Sequence, residues 1–252
     1  MLPEVLRAGR ADLYSVFRTC AVGRDGALAV EDGETRRSYG ELLDRVDRLA
    51  SVLLSRGVAP GDRIAILSHN RVEYLELELA AAGIGAIVAC LNWRLAAPEL
   101  KHCIELVEPV LAVVEPELRD AFRAVSDLPG LEIGPEWEQA LASANPDPRT
   151  GTLVDDPEAG LTILYTSGTT GLPKGALISH RAHIARAMAF AAQLALDPDD
   201  GFIAWAPMFH MASTDQALAT LLRGGTVVMV DGLQPSVMNE ALSRHRIGWF
   251  VM

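Results

Sequence analysis

Short apolar runs alternate with amphipathic helical stretches along most of this 252-residue chain, and that alternation constrains the fold more than any single residue. Residues 28–33 read as a strand entering an Asp-Gly turn, with Thr35–Ser38 as its return. Ser38-Tyr39-Gly40-Glu41 fits a capping box, in which serine and glutamate satisfy each other's orphan N–H groups. Behind it Leu42, Val46, Leu49, Ala50, Leu53 and Leu54 recur at helical spacing until Gly57. Further strands are expected at 63–68, 86–91 and 110–114, separated by helices at 71–82 and 98–106. After residue 156 come strands from Leu161 and at 202–206, 226–230 and 247–252, with helices at 182–194, 214–222 and 235–244. Strands joined through helices pair mainly in parallel, so an α/β fold of mainly parallel sheets flanked by helices is expected. Residues 127–156 are rich in Pro, Gly and acids, with helical character only around 137–142. They suggest a first α/β unit at 1–126, an irregular connection at 127–156, and a second unit at 157–252.

The apolar run at 161–165 leads into Thr166-Ser167-Gly168-Thr169-Thr170-Gly171-Leu172-Pro173-Lys174-Gly175, which packs four hydroxyl side chains, three glycines and one lysine into ten residues. Glycine lets a backbone approach a ligand and adopt positive φ without a Cβ clash. Consecutive N–H groups in turn conformations form an anion-binding concavity. The guest this loop suits is a phosphate chain. It is not a P-loop of the nucleoside triphosphatase type, because Pro173 precedes Lys174 and Gly175 follows it where a Ser or Thr would hold magnesium. Nor does it have dinucleotide-binding spacing, since two threonines separate Gly168 from Gly171. An ordinary surface turn needs only one or two special residues. A second block, Ala206-Pro207-Met208-Phe209-His210-Met211, follows the strand at 202–206, where an open α/β sheet places its ligand crevice. Position alone fits either a histidine that orients a ligand or one satisfied at a helix start.

Residues 165–175 resemble, without a gap, the phosphate-binding signature of the adenylate-forming superfamily: acyl-CoA synthetases, luciferase and peptide-synthetase adenylation domains. The resemblance implies the N-terminal portion of the large domain of an acyl-CoA synthetase. Such an enzyme activates a fatty or cyclic/aromatic carboxylic acid with ATP to an acyl-adenylate and transfers the acyl group to CoA. It implies that Thr166, Ser167, Gly168, Thr169, Thr170, Gly171 and Lys174 hold the nucleotide phosphates, with Thr166 on the Mg2+ side and Lys174 as the catalytic cation. The Pro-x-Phe-His block is similar to the family's acyl-pocket segment, which makes His210 a substrate-side residue. Asn92-Trp93-Arg94-Leu95 and Leu222-Arg223-Gly224-Gly225-Thr226 also recur in bacterial acyl-CoA synthetases and read as structural. The second half of the family pattern, with its adenine, ribose and C-terminal lysine segments, is absent from these 252 residues, so little ligase activity is expected of them alone. The alternatives are a catalytically silent fragment that at most binds nucleotide phosphates, and a peptide-synthetase-type adenylation domain.

A net charge of −11 argues against nucleic acid or an anionic membrane as partner, while leaving room for a local cation such as Lys174. No uncharged run exceeds fifteen residues, and the most apolar, residues 79–93, includes Gly83, Gly85 and Asn92. A membrane span needs about 20 predominantly apolar residues. The start, Met1-Leu2-Pro3-Glu4, shows no basic flank with an apolar core, so a cytoplasmic location is expected. Cys20, Cys90 and Cys103 lack paired or metal-like spacing and read as reduced thiols. His69, His102, His183 and His245 form no cluster at metal spacing, and His180 is expected to cap or pack at the next helix.

Overall fold

The computed structural model describes residues 11–166 and 171–251. Ser167, Gly168, Thr169 and Thr170 of the predicted phosphate loop lie outside the described residues. The first element, helix α1 (Leu13–Gly23), was not expected from the sequence. Asp12 caps it by accepting the Ser15 N–H at 2.9 Å, and Leu13, Tyr14, Phe17 and Ala21 form its buried stripe. Strands β1 (Leu28–Asp32) and β2 (Thr35–Ser38) make the expected hairpin, with Gly33 at φ 58°. The capping box at Ser38 and Glu41 is present and opens α2 (Tyr39–Ser55).

Next come β3 (Arg63–Leu67), α3 (Val72–Ile84), β4 (Ile87–Cys90), α4 (Ala97–Val107) and β5 (Leu111–Val114). A 3-10 turn and the short α5 (Arg119–Arg123) lead to β6 (Gly130–Glu132) and α6 (Pro135–Ser143). The stretch expected to be irregular therefore contains a strand as well as the helix expected around 137–142. The chain continues through β7 (Gly160–Thr166), β8 (Lys174–Ser179), α7 (His180–Leu194), β9 (Gly201–Ala204), α8 (Met211–Arg223), β10 (Val227–Met229), α9 (Pro235–Arg244) and β11 (Ile247–Trp249). Helix α7 starts at His180 because Ser179 accepts the Ala182 N–H at 3.1 Å.

These strands form two sheets, mainly parallel and flanked by helices. One has the order β11-β9-β10-β1-β2, the other β6-β5-β3-β4-β7-β8. The sheets do not follow the division expected at 127–156. Strands β7 and β8 complete the sheet begun by β3, while β9, β10 and β11 join β1 and β2 from the other end of the chain. A strand buried on both faces shows the same apolar run whichever sheet receives it, so its partner cannot be read from its own residues.

Helix α3 packs against α1, α2, α8, β1, β4 and β7 and is buried on every face, as an all-round apolar helix must be. It carries two buried acids. Glu76 is held by the Arg45 guanidinium and by the Trp137 indole N–H at 3.0 Å; Glu78 faces Thr214. The three cysteines are free thiols, Cys90 and Cys103 buried. Among the described residues no helix is long and apolar enough to cross a membrane.

Candidate functional site

Strand β7 runs parallel to β4 and antiparallel to β8, with Thr166 directly opposite Lys174. Thr166 and Lys174, at the two ends of the phosphate-loop sequence, are therefore cross-strand partners at the end of a hairpin. Residues 161–164 are buried, whereas Thr166 and Lys174 are exposed at the hairpin mouth. Gly171 takes φ 98° with open space around it, so the left-handed backbone is what requires glycine there. At Gly175 the reason is proximity, because a Cβ would lie 3.0 Å from Ile163 Cγ2. Helix α4 braces both arms. The Tyr165 hydroxyl donates to the Cys103 carbonyl at 2.8 Å, and the His102 ring nitrogen Nε2 lies 3.1 Å from the Pro173 carbonyl, to which its N–H tautomer donates. Burial pushes the Tyr165 phenol well above its ordinary pKa, so it stays a neutral donor. Among the described residues, no hydrogen bond or ion pair ties up the Lys174 ammonium.

The second block follows β9. His210 is the N-cap residue of α8, but its side chain makes no cap hydrogen bond and its ring is solvent-exposed. The imidazole sits 4.6 Å from the Phe209 ring. Phe209 meets Trp93 edge-on at 6.4 Å. Trp93 in turn lies 4.3 Å from His69, with the Arg94 guanidinium 4.8 Å over its ring. Partial burial, then the Arg94 charge, hold His210 below the ordinary histidine pKa, leaving it neutral at pH 7. Behind this ring cluster, buried Glu115 accepts from the Ser68 hydroxyl and the His69 amide, both at 3.0 Å, and contacts the His69 ring. Trp93 follows β4, the neighbour of β7 in the sheet, so one ring connects the phosphate-loop sheet to the His210 block. Both blocks thus lie beyond the carboxyl ends of parallel strands, the edge at which open α/β sheets bind ligands.

Asn70 joins the two sheets at this edge. Its Nδ2 donates to the carbonyls of Ala204 (3.0 Å), Ala206 (2.7 Å) and Val230 (3.1 Å), and its Oδ1 accepts the Met208 N–H at 2.9 Å. Deeper in, Thr162 Oγ1, His183 and Asp215 form a hydroxyl–imidazole–carboxylate row with both links at 2.9 Å. That order matches a nucleophile relay, but all three side chains are buried, with Thr162 at 0% exposure. No substrate reaches the hydroxyl; the row ties β7 to α7 and α8, and Arg186 Nε balances Asp215 at 2.7 Å. A groove of about 690 Å3 lies beside α4 across β3, β4, β7 and β8, walled by Ile87, Leu106, Ile163, Leu172 and Leu177. It takes in Leu172, Pro173, Lys174 and Gly175 of the loop but none of the ring cluster, so it is an apolar flank rather than a converged site. No group of three or more His, Cys, Asp or Glu able to hold a metal occurs among the described residues.

A family model described as AMP-binding enzyme matches residues 17–252. The chain belongs to that family. Among curated relatives is a feruloyl-CoA synthase of Amycolatopsis, 34% identical over 88% of this chain and 44% of the relative. An indoleacetate–CoA ligase of Aromatoleum aromaticum is 35% identical over 88% of this chain and 46% of the relative. A long-chain-fatty-acid–CoA ligase of Mycobacterium tuberculosis is 34% identical over 77% and 40%, respectively. Among solved structures, ATP-bound MatB from Rhodopseudomonas palustris superposes with a TM-score of 0.82 at 28% identity, over 93% of this chain and 48% of that one. The N-terminal domain of FACL13 from Mycobacterium tuberculosis gives 0.82 at 26% identity, over 92% and 60%. The chain thus spans about half the length of the curated relatives it matches.

Sequence reasoning marked the 166–175 stretch and the His210 block as candidates but missed the residues that pack beside them. Trp93 and Arg94, read as structural, lie against Phe209 and beside His210. Asn70, His69, Glu115 and His102 carried no local signal beyond position, the first three being polar residues at or near the end of an apolar run and His102 lying within α4. His180 is buried at the start of α7, and its Nδ1 accepts the Leu13 N–H at 3.2 Å.

Proposed function

We propose that this chain carries the phosphate-facing and acyl-facing part of an acid–CoA ligase site. A carboxylate oxygen attacks the α-phosphate of ATP, forming an acyl-adenylate and releasing pyrophosphate. The CoA thiolate then attacks the acyl carbon and expels AMP. A free carboxylate resists thiolate attack because it is anionic and its leaving group would be oxide; adenylation removes both obstacles. The developing charge on pyrophosphate needs preplaced donors and a cation. Thr166, Ser167, Gly168, Thr169, Thr170, Gly171 and Lys174 fill that role, with the Lys174 ammonium at the mouth of the hairpin.

The observation that carries this reading is the hairpin itself: the 165–175 sequence closes with Lys174 opposite Thr166 at the carboxyl end of a parallel sheet. A magnesium ion fits if it travels on the nucleotide, because Mg2+ binds through substrate phosphates, waters and one or two protein oxygens. The exposed Thr166 hydroxyl would be such an oxygen; the ion would neutralise phosphate charge. Neutral His210, with Phe209 and Trp93, offers an apolar wall, which favours an aryl or alkyl carboxylate over a small polar acid. Titration calorimetry with MgATP and with magnesium pyrophosphate tests the phosphate half, and ATP–pyrophosphate exchange with ferulate, indoleacetate and laurate tests the acyl half. Saturable binding that Lys174→Ala weakens is expected. A chain that binds neither phosphate ligand refutes the proposal.

A further inference from the structure

The phosphate hairpin and the His210 block belong to different sheets, so their separation depends on what fixes one sheet edge to the other. In-line attack of a carboxylate on phosphorus needs the reacting atoms about 3–3.5 Å apart, and a misplacement of about 1 Å costs roughly 100-fold. Asn70 sits where that distance is set. It follows β3, in the hairpin's sheet, and its side chain bonds the backbone of residues 204, 206 and 208, which lead from β9 to His210. It also reaches the Val230 carbonyl just past β10.

The amide orientation is forced. Three surrounding carbonyls only accept and the Met208 N–H only donates, so Nδ2 must face the former and Oδ1 the latter. Two N–H bonds serve three carbonyls, one of them shared. The next residues extend the same junction. The Val72 N–H donates to Asp32 Oδ2 at 3.0 Å, tying the start of α3 to the end of β1. On the far side of the block, the Ser213 hydroxyl donates to the Ala206 carbonyl at 2.5 Å. The segment before His210 is thus clamped from one sheet by Asn70 and from its own helix by Ser213.

We propose that Asn70 is a positioning residue that holds the acyl-side segment in register with the phosphate hairpin. It touches no substrate; it acts through the 204–208 backbone. The positioning of that segment stands on the geometry, and its consequence for acid activation rests on the ligase reading above.

The test compares the wild-type chain with Asn70→Ala and with Asn70→Asp. The aspartate has the same size and keeps the acceptor for Met208, but offers no donor to the three carbonyls. Amide hydrogen exchange is followed by NMR. Asn70→Ala should accelerate exchange at Met208 roughly tenfold or more while residues 161–165 of β7 keep their wild-type rates. Asn70→Asp should keep Met208 protected. Unchanged exchange at Met208 in Asn70→Ala overturns the positioning claim whatever reaction the chain serves.

The second readout is ATP–pyrophosphate exchange with ferulate, indoleacetate and laurate as probes. Both variants should lose roughly 10- to 100-fold in kcat/KM for the acid, with KM for ATP within about twofold of wild type. Equal losses toward acid and ATP would mark Asn70 as a general structural residue and overturn the proposal. Where the wild-type chain is inactive with every probe, as expected of these 252 residues alone, MgATP titration tests the ligase reading and the exchange rate at Met208 decides the positioning claim by itself.

Discussion

Glu78 lies in α3 with no solvent exposure. Its Oε1 accepts the Thr214 hydroxyl at 2.5 Å, the Cys90 thiol is 3.9 Å away, and Oε2 has no partner. Burial outweighs those two hydrogen bonds and, with the Asp215 charge adding to it, pushes the carboxyl from 4.5 up to about 8. The folded chain therefore keeps a proton on Glu78 that the unfolded chain releases between pH 4.5 and about 8. A native state that binds the extra proton loses stability as pH rises through that window. One linked proton corresponds to about 1.4 kcal/mol per pH unit, so the loss across the window is on the order of 5 kcal/mol. That is comparable to the whole stability of many domains, about 5–15 kcal/mol. Glu78→Gln removes the titration and keeps the acceptor for Thr214. It also buries an amide N–H2 without a partner, a pH-independent cost of about 1–3 kcal/mol. The two stability curves should therefore cross. The variant should be less stable than wild type at pH 5 and equal or more stable at pH 8, in urea unfolding followed by tryptophan fluorescence. Parallel curves, with the same dependence on pH in both proteins, would show that Glu78 is not the neutral buried acid described.

Lys174→Ala removes an exposed cation, so the melting temperature should hold while MgATP affinity falls roughly 10- to 100-fold, the worth of one charge-assisted contact; unchanged affinity would take Lys174 out of the site. Arg94→Ala should let the His210 pKa rise toward its ordinary value in an NMR titration, and an unmoved titration would show that Arg94 does not bear on the imidazole. The buried Tyr39 hydroxyl donates to the carbonyls of Leu221 (3.2 Å) and Gly225 (2.8 Å), so Tyr39→Phe should cost about 1–2 kcal/mol in urea unfolding. A loss below about 0.3 kcal/mol would mean those bonds stabilise nothing net.

Most of the elements were legible because their causes are local. The Ser38–Glu41 box, the Asp32-Gly33 turn and the helix stops are interactions among residues a few positions apart, and the alternation of apolar runs announced the α/β class. Helix α1 was also legible in principle. Leu13, Phe17 and Ala21 repeat every four residues behind Asp12, a capping signal that three buried positions make easy to overlook. What could not be read was which sheet each strand joins. Strand β1 finds β10 across some 200 residues, and nothing in Val30 or Val227 names the other.

The same division runs through the candidate site. Groups that would touch a phosphate chain must converge within a few ångströms, and a loop with glycine at its turns does that with contiguous residues. The candidate phosphate loop could therefore be proposed from a contiguous string. Groups that hold the loop in place are free to come from anywhere the fold brings them. His102 meets Pro173 from 71 positions away, His183 meets Asp215 from 32, and Asn70 meets Ala206 from 136. Each is a single polar residue with no pattern around it, because its partner is a backbone carbonyl or a side chain on another element. Contact chemistry is thus written in neighbouring residues, whereas positional chemistry is written in the topology. It follows that a substitution at Asn70, unremarkable in the sequence, should disturb the site through geometry, whereas Lys174 should act through charge alone.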